Sequence, residues 1–167
     1  MTYTSAEANK LLRKWNDDLS ALEQKEARSR EFLAAVGEDP ESVRPAYDYA
    51  ATAAALTALE TKIRALKHAL NVFNSTTEVP EFGMTVDELL VYIPQLTARK
   101  SKLLAMKSKL PKTRVEGYNR SNIIDYTYLN YDLAAVEADY DAVSEQLSRA
   151  QLALDKVNQT ATFDFEG

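Results

Sequence analysis

The sequence predicts a mainly all-α protein, in which long antiparallel coiled-coil helices form a four-helix arrangement with a small β-hairpin before the last helix. Apolar residues recur at alternating spacings of three and four in four long segments, which keeps one narrow stripe along a helix. The 167 residues include only 4 glycines and 5 prolines, and most of these lie between the four segments. The stretch before the last segment is β-branched and aromatic, which favours strands.

The first stripe predicts a helix over residues 5–36. Its members are Ala8, Leu12, Trp15, Leu19, Leu22, Glu26, Ser29, Leu33 and Val36. Their average spacing is that of a coiled-coil seam, and the polar Glu26 and Ser29 within it indicate control of register or oligomeric state. Gly37 follows, and glycine suits the left-handed position after a helix end.

The second stripe predicts a helix over residues 45–73. Its members are Tyr49, Thr52, Leu56, Leu59, Ile63, Leu66, Leu70 and Phe73. Residues 38–45 are interpreted as a turn, and Pro45 suits the first position of a helix. Six of the nine residues 50–58 are alanine, which favours helix and lets a neighbouring helix approach closely.

The third helix is predicted over residues 85–110, after a loop at 74–83. Thr85 and Glu88 form a capping box, the sequence signature of a helix start. Pro94 is expected to kink this helix or to shift its start. The apolar stripe, with two lysines that interrupt it, comprises Val86, Leu89, Ile93, Leu96, Lys100, Leu103, Lys107 and Leu110.

A β-hairpin is predicted over residues 112–129, with its turn at 117–119. The last helix then covers residues 131–158. Its stripe comprises Leu129, Leu133, Val136, Tyr140, Val143, Leu147, Ala150, Leu154 and Val157. Residues 159–167 are interpreted as a frayed tail in which Phe163 and Phe165 could dock.

Helices this long with narrow seams bury little surface against one partner. We therefore expect one elongated helical domain over residues 1–167. It is either an elongated four-helix bundle or two helical hairpins that complete their cores in a homo-oligomer.

Three stretches of the chain, residues 71–77, 83–90 and 118–123, resemble the septicolysin-like family of small bacterial proteins. In that family an Asn/Thr-rich turn follows a coiled-coil helix, a Gly-Met-Thr helix start comes next, and a Tyr-x-Arg-Ser segment precedes the last helix. The resemblance covers about half of the chain and implies a helical coiled-coil architecture with no known catalytic apparatus. The family name implies a membrane-active cytolysin. Asn122 and Ile124 depart from the family pattern, which has an acidic and a basic residue there.

The composition argues against an enzyme and against metal or other cofactors. The absence of cysteine excludes disulfides, thiolate metal sites and cysteine nucleophiles. His68 is the only imidazole, lies off the second stripe, and has no evident nucleophile or carboxylate partner. There is no Glu-x-x-His pair for a di-metal bundle and no glycine-rich phosphate loop. We therefore predict no catalytic, cofactor-binding or metal-binding residue.

No basic N-terminal region followed by an apolar core is present, and no uninterrupted apolar run approaches the ~18 residues of a membrane span. The sequence thus predicts a cytoplasmic protein without a membrane span. The formal net charge is −5, but the charge is unevenly distributed. Residues 89–115 contain no acidic residue, while residues 125–167 hold nine acidic against two basic residues. The seven basic residues of the first region are Arg99, Lys100, Lys102, Lys107, Lys109, Lys112 and Arg114.

This basic set is the candidate interaction patch. In the favoured interpretation, the basic third helix pairs with the acidic fourth helix, flank against flank. In the alternative, the basic residues bind nucleic acid and tyrosines at 118, 126, 128 and 131 stack on bases. The acidic chain as a whole disfavours that alternative.

Three functions remain as hypotheses. The first is a non-enzymatic structural or interaction protein that self-associates through its seams or hairpin, with a further protein partner possible. The second is a nucleic-acid-binding module that uses the basic third helix. The third, implied by the resemblance alone, is a membrane-active cytolysin.

Overall fold

The computed structural model describes residues 1–115 and 124–166. Most of the described chain is helical, as predicted. In chain order the elements are β1 (Thr2–Thr4), α1 (Ser5–Ser29), α2 (Pro40–Val43), α3 (Tyr49–Thr76), β2 (Glu78–Val79), β3 (Met84–Thr85), α4 (Val86–Lys107), β4 (Lys112–Arg114), β5 (Tyr126–Tyr128), α5 (Leu133–Thr160) and β6 (Thr162–Asp164).

The chain divides into two compact units, Met1–Thr77 with Val157–Gly167, and Glu78–Lys156. The single domain predicted over residues 1–167 stays a prediction. Within the described residues, no helix is long and apolar enough to cross a lipid bilayer.

In the first unit, α1 begins with a capping box. The Thr4 hydroxyl accepts a hydrogen bond from the Glu7 backbone N–H, and the Glu7 carboxylate accepts one from the Thr4 N–H at 2.9 Å. These bonds satisfy backbone donors that the first helical turn leaves unpaired. They also lower the pKa of Glu7, mainly through the Thr4 backbone N–H.

The predicted end of the first helix at residue 36 is wrong, because α1 ends at Ser29. Leu33 and Val36, which continue the stripe in sequence, are almost completely exposed. A helical turn whose apolar side chains contact nothing gains little stability, so the stripe alone does not extend the helix. Gly37, at φ +91°, lies in the following loop rather than directly after a helix end.

The predicted start of the second helix at residue 45 is also wrong. The short helix α2 occupies part of the expected turn, and Pro40 rather than Pro45 stands at its start. The long helix α3 begins only at Tyr49, where the Asp48 carboxylate accepts a hydrogen bond from the Ala51 N–H at 3.0 Å. Aspartate is a strong helix N-cap, which sets this boundary. α3 then continues to Thr76, three residues beyond the predicted end.

The expected fraying after residue 158 is wrong for the described residues, because α5 and β6 continue there, whereas the expected docking of Phe163 and Phe165 is confirmed. β6 pairs antiparallel with β1, with Tyr3 opposite Phe163. Beyond the strands, the Phe165 N–H donates to the Met1 carbonyl at 2.9 Å. The Phe163 ring lies 5.2 Å from Phe73, and buried Phe165 lies 6.4 Å from Trp15.

In the second unit, the strands β2 and β3 form a short antiparallel pair within and after the expected loop. Gly83, at φ +57°, occupies the left-handed conformation in the turn between them. α4 follows with the predicted capping box of Thr85 and Glu88. It runs through Pro94, so the proline does not shift its start, and it ends at Lys107, three residues before the predicted end.

The predicted hairpin is confirmed in its two arms. β4 pairs antiparallel with β5, with Thr113 opposite Thr127. The Val115 N–H to Asp125 carbonyl bond of 3.0 Å extends the pairing at one end. The predicted turn at 117–119 lies outside the described residues. α5 then covers Leu133–Thr160, two residues later than predicted at each end.

Candidate interaction surfaces

Two lysines that interrupt the stripe of α4 pack on one tyrosine of α5. The Nζ atoms of Lys100 and Lys107 lie 5.7 Å and 4.5 Å from the centre of the Tyr140 ring. All three side chains are half-buried. A lysine can bury its methylene chain and still place its ammonium over an aromatic face, so these positions fit a partly apolar contact.

The predicted pairing of basic α4 with acidic α5 through their charges stays a prediction. Among the described residues, the two salt bridges are Arg44–Glu41 and Arg149–Glu81, and neither joins these helices. The contact runs through the Tyr140 ring instead. Tyr140 belongs to the apolar stripe of the last helix. The sequence did not predict that its ring would contact two lysines.

The hairpin gathers basic and aromatic side chains on one face. Lys112 stands opposite Tyr128, and Arg114 stands opposite Tyr126. Residues two apart in a strand, and residues opposite each other across a pair, share a face. The Lys112 Nζ lies 4.1 Å from the Tyr126 ring centre and 5.3 Å from that of Tyr128. We call these four residues the hairpin surface.

The hairpin surface is open. Tyr126 is 44% exposed and Tyr128 is 62% exposed. Their ring centres are 6.5 Å apart and tilted by 52°. Exposed apolar side chains lie beside the strands in the chain, namely those of Leu110, Val115 and Ile124.

The remaining predicted residues divide into three groups. Four basic residues are exposed, namely Arg99, Lys102, Lys109 and Arg114. Tyr131 is half-buried, and its hydroxyl donates to the Met106 carbonyl at 2.8 Å, so it stabilises the end of α4. Tyr118 lies outside the described residues. Among the described candidate tyrosines, Tyr126 and Tyr128 are thus available for stacking.

A second surface lies along the antiparallel pair of α1 and α3. Near the start of α1 the stripe is buried, and we call this part the proximal seam. Its members are Ala8, Leu12, Ile63, Leu66, Leu70 and Phe73, each at most 8% exposed. Towards the end of α1 the stripe is only half-buried or exposed, and we call this part the distal seam. Its members are Leu19, Leu22, Glu26, Ser29, Tyr49, Thr52, Leu56 and Leu59.

A cleft of about 290 Å³ opens in the distal seam. Ala51 and Ala55 line it from α3, and their short side chains leave the space unfilled. Across it, the Tyr47 hydroxyl donates to the Glu26 carboxylate at 2.8 Å. This hydrogen bond is the main cause of a raised pKa for Tyr47, with smaller contributions from desolvation and from the negative charge of Glu26.

His68 lies on an exposed part of α3, in a shallow depression with Glu60, Arg64 and Lys67. In the part of the chain that the structure describes, no group of three histidine, aspartate or glutamate side chains is placed to hold a metal ion.

The fold and these surfaces define a mainly helical protein with two open surfaces, one on each compact unit. No family model matches the chain, and neither does any curated protein. The chain is similar in structure to a functionally unknown conserved protein from Corynebacterium diphtheriae, known from its crystal structure. The TM-score is 0.63 and the sequence identity 21%, over 98% of this chain and 100% of that one. A likeness at this identity concerns the fold alone, and the resemblance to the septicolysin-like family stays a prediction.

Proposed function

We propose that this chain is a cytoplasmic, non-enzymatic interaction protein whose α1–α3 pair is a coiled coil that self-associates through the distal seam. The observation that carries the proposal is the change of burial along one continuous stripe. The proximal seam is a closed core, whereas the distal seam has the same spacing of apolar residues and is left partly open by the described part of the chain. In a homo-oligomer, the distal seams of two copies would cover each other.

The chemistry of the distal seam fits a second copy of the same chain. Its four leucines are only half-buried, so part of each leucine remains to be buried in a dimer. The alanines at 50–58 allow a second helix to approach closely. A two-fold axis would place the same residues on both sides, which is the commonest arrangement of homodimers.

The expected affinity is moderate. Completing the burial of eight half-buried leucines in two copies gives on the order of 8 kcal/mol at about 1 kcal/mol each. Burial of Tyr49, which is 70% exposed, adds about 2 kcal/mol in each copy. Association costs of about 4 to 6 kcal/mol then leave dissociation constants of about 1 to 100 µM. The hydrogen-bonded Glu26 and Tyr47 would fix the register, as polar residues within a seam do.

The test is sedimentation equilibrium of the full chain over concentrations that span about 1 to 100 µM. The wild type is expected to shift from monomer to dimer in this range. The variant Leu22→Glu with Leu56→Glu is expected to stay monomeric, because it would place charges inside the interface while leaving the proximal core intact.

Leu33→Glu with Val36→Glu is the matched control. It makes the same change of leucine or valine to glutamate at two exposed positions outside the helix, and it is expected to dimerise like the wild type. Circular dichroism should show the same helix content in all three proteins. A wild type that remains monomeric throughout the range would contradict the proposal.

A further inference from the structure

The hairpin surface offers a different kind of contact from the distal seam. Two tyrosine rings and two cationic side chains share one face of a two-stranded sheet. The register of the two strands places each cation opposite a tyrosine. Aromatic rings beside lysine and arginine form the usual binding surface for single-stranded nucleic acids, where bases stack on rings and phosphates meet cations.

The Lys112 ammonium now covers part of the two rings, and this contact is easily exchanged. A cation–π contact at an exposed site changes an equilibrium by about two- to fivefold. Stacking of one base on an aromatic ring contributes about five- to a hundredfold. A base can therefore displace the ammonium, which is then free to contact the phosphate of the same nucleotide.

The charge around the rings favours a polyanion. Lys109 precedes the hairpin and is exposed, and Arg114 lies opposite Tyr126. Among the residues at 89–115 there is no acid to offset these cations. In the sequence, two acidic residues adjoin the strands, Glu116 after Val115 and Asp125 before Tyr126, against the three cations Lys109, Lys112 and Arg114.

The exposed rings decide between a nucleic acid and an acidic protein segment. An acidic protein segment would contact the cations and leave both tyrosine rings without a contact. Duplex DNA keeps its bases stacked on one another, so it also offers no free base faces to the rings. Only an unpaired strand uses the rings and the cations together.

We propose that the hairpin surface binds single-stranded nucleic acid, with Tyr126 and Tyr128 stacking on bases and Lys109, Lys112 and Arg114 contacting phosphates. The binding is independent of sequence, because each base offers a face for stacking. This function goes beyond self-association and uses a surface in the other compact unit. It also moves the predicted nucleic-acid contact from α4, where Lys100 and Lys107 are engaged by Tyr140, to the hairpin.

The experiment measures fluorescence anisotropy of a labelled oligothymidylate of about 15 nucleotides with the full chain, within the site sizes usual for small binding surfaces. Three phosphate contacts predict that a fourfold rise in salt weakens binding about 20-fold. The variant Tyr126→Leu with Tyr128→Leu is expected to weaken it at least tenfold, since leucine keeps an apolar side chain but cannot stack.

Two further variants separate stacking from a change in folding. Tyr126→Phe with Tyr128→Phe keeps both rings and is expected to keep the affinity within about threefold, because phenylalanine also stacks. Phe32→Leu removes an exposed ring that lies beside Arg44 on the other unit, and this variant is expected to bind like the wild type. Thermal melts followed by circular dichroism identify a variant that fails to fold. If the double leucine variant fails to fold, the double phenylalanine variant and Lys112→Gln are compared with the wild type in its place.

Several results would overturn the proposal. These are an absence of binding at about 100 µM protein in low salt, equal affinity of the leucine and wild-type proteins, and equal competition by polyglutamate or by a duplex of the same length. Binding by Leu22→Glu with Leu56→Glu is expected to match the wild type, so a failure of self-association leaves this test intact.

Discussion

The proximal and distal seams belong to one pair of helices and follow one heptad pattern, but they differ in burial. Leu66, in the proximal seam, is completely buried, whereas Leu56, ten residues earlier in α3, is half-buried. Both belong to the same apolar stripe of α3. The spacing of apolar residues therefore specifies which side of a helix faces a partner, but it does not specify whether that side is covered.

The difference has an identifiable physical source within the first unit. Near the proximal seam, β6 brings Phe163 to 5.2 Å from Phe73, and the residue after the strand brings Phe165 to 6.4 Å from Trp15. At the distal seam the loop before α3 contributes Tyr47, and the alanines beside it leave a cleft. Bulky aromatic side chains thus cover one end of the α1–α3 pair, and small side chains leave the other end open.

The largest expected effect comes from shortening a leucine in each seam. Leu66→Ala should lower the free energy of unfolding by about 3 to 5 kcal/mol, because it creates a cavity in a closed core. Leu56→Ala should cost only about 1 kcal/mol, since that side chain is already partly in contact with water. Chemical denaturation followed by circular dichroism, at protein concentrations low enough to keep the chain monomeric, measures both.

Equal losses for the two variants would mean that the distal seam is as closed as the proximal seam. Leu33→Ala is the control, because Leu33 is 95% exposed outside the helix and its truncation should leave stability unchanged.

Removing the aromatic cover of the proximal end should have a smaller effect. Phe165→Ala is expected to lower the free energy of unfolding by about 2 to 3 kcal/mol, at the low end for a buried phenylalanine, because a chain end can rearrange to fill the space. Hydrogen exchange should show faster exchange of the Phe165 amide, which donates to the Met1 carbonyl, and of the paired strands. Unchanged exchange there would contradict the role of this ring in holding the strands.

The smallest expected effect concerns the distal end and depends on pH. The hydrogen bond to Glu26 raises the pKa of Tyr47 above that of an unfolded tyrosine. The stabilisation is therefore fully present below the ordinary tyrosine pKa and is lost as the pH rises through the higher pKa of the folded protein. The stability difference between the wild type and Tyr47→Phe should accordingly be present at neutral pH and disappear in strong alkali.

Ultraviolet absorbance of the phenolate provides the direct measurement. The difference between the titrations of the wild type and of Tyr47→Phe isolates one of nine tyrosines. The Tyr47 hydroxyl should titrate above the ordinary range of tyrosine, and Glu26→Gln should return its titration to that range. Titration of the isolated group at or below the ordinary value would show that the Glu26 contact is absent in solution.

The elements with local causes were predicted closely. The capping box of Thr85 and Glu88 set the start of α4 because its hydrogen bonds join residues three apart. The same motif at Thr4 and Glu7 could have set the start of α1. The β-branched and aromatic pattern at 123–129 likewise indicated the strand that became Tyr126–Tyr128.

The candidate site was predicted in part. The seven basic residues were visible as a run without acids, but their different environments were not. Lys100 and Lys107 are occupied by Tyr140, while Lys112 lies over Tyr126 and Tyr128. The register of the hairpin and the packing of α5 on α4 decide this division, and neither follows from charge spacing.

The sequence by itself determined the number of long helices in the described chain, the side of each helix that is apolar, the capping of α4 and the presence of a hairpin. These depend on interactions between residues a few positions apart. Only the tertiary structure decided where α1 stops, which half of its stripe is buried, and how β6 joins β1 across more than 150 residues. Such features depend on which distant surface covers a side chain, and a local pattern contains no information about that surface.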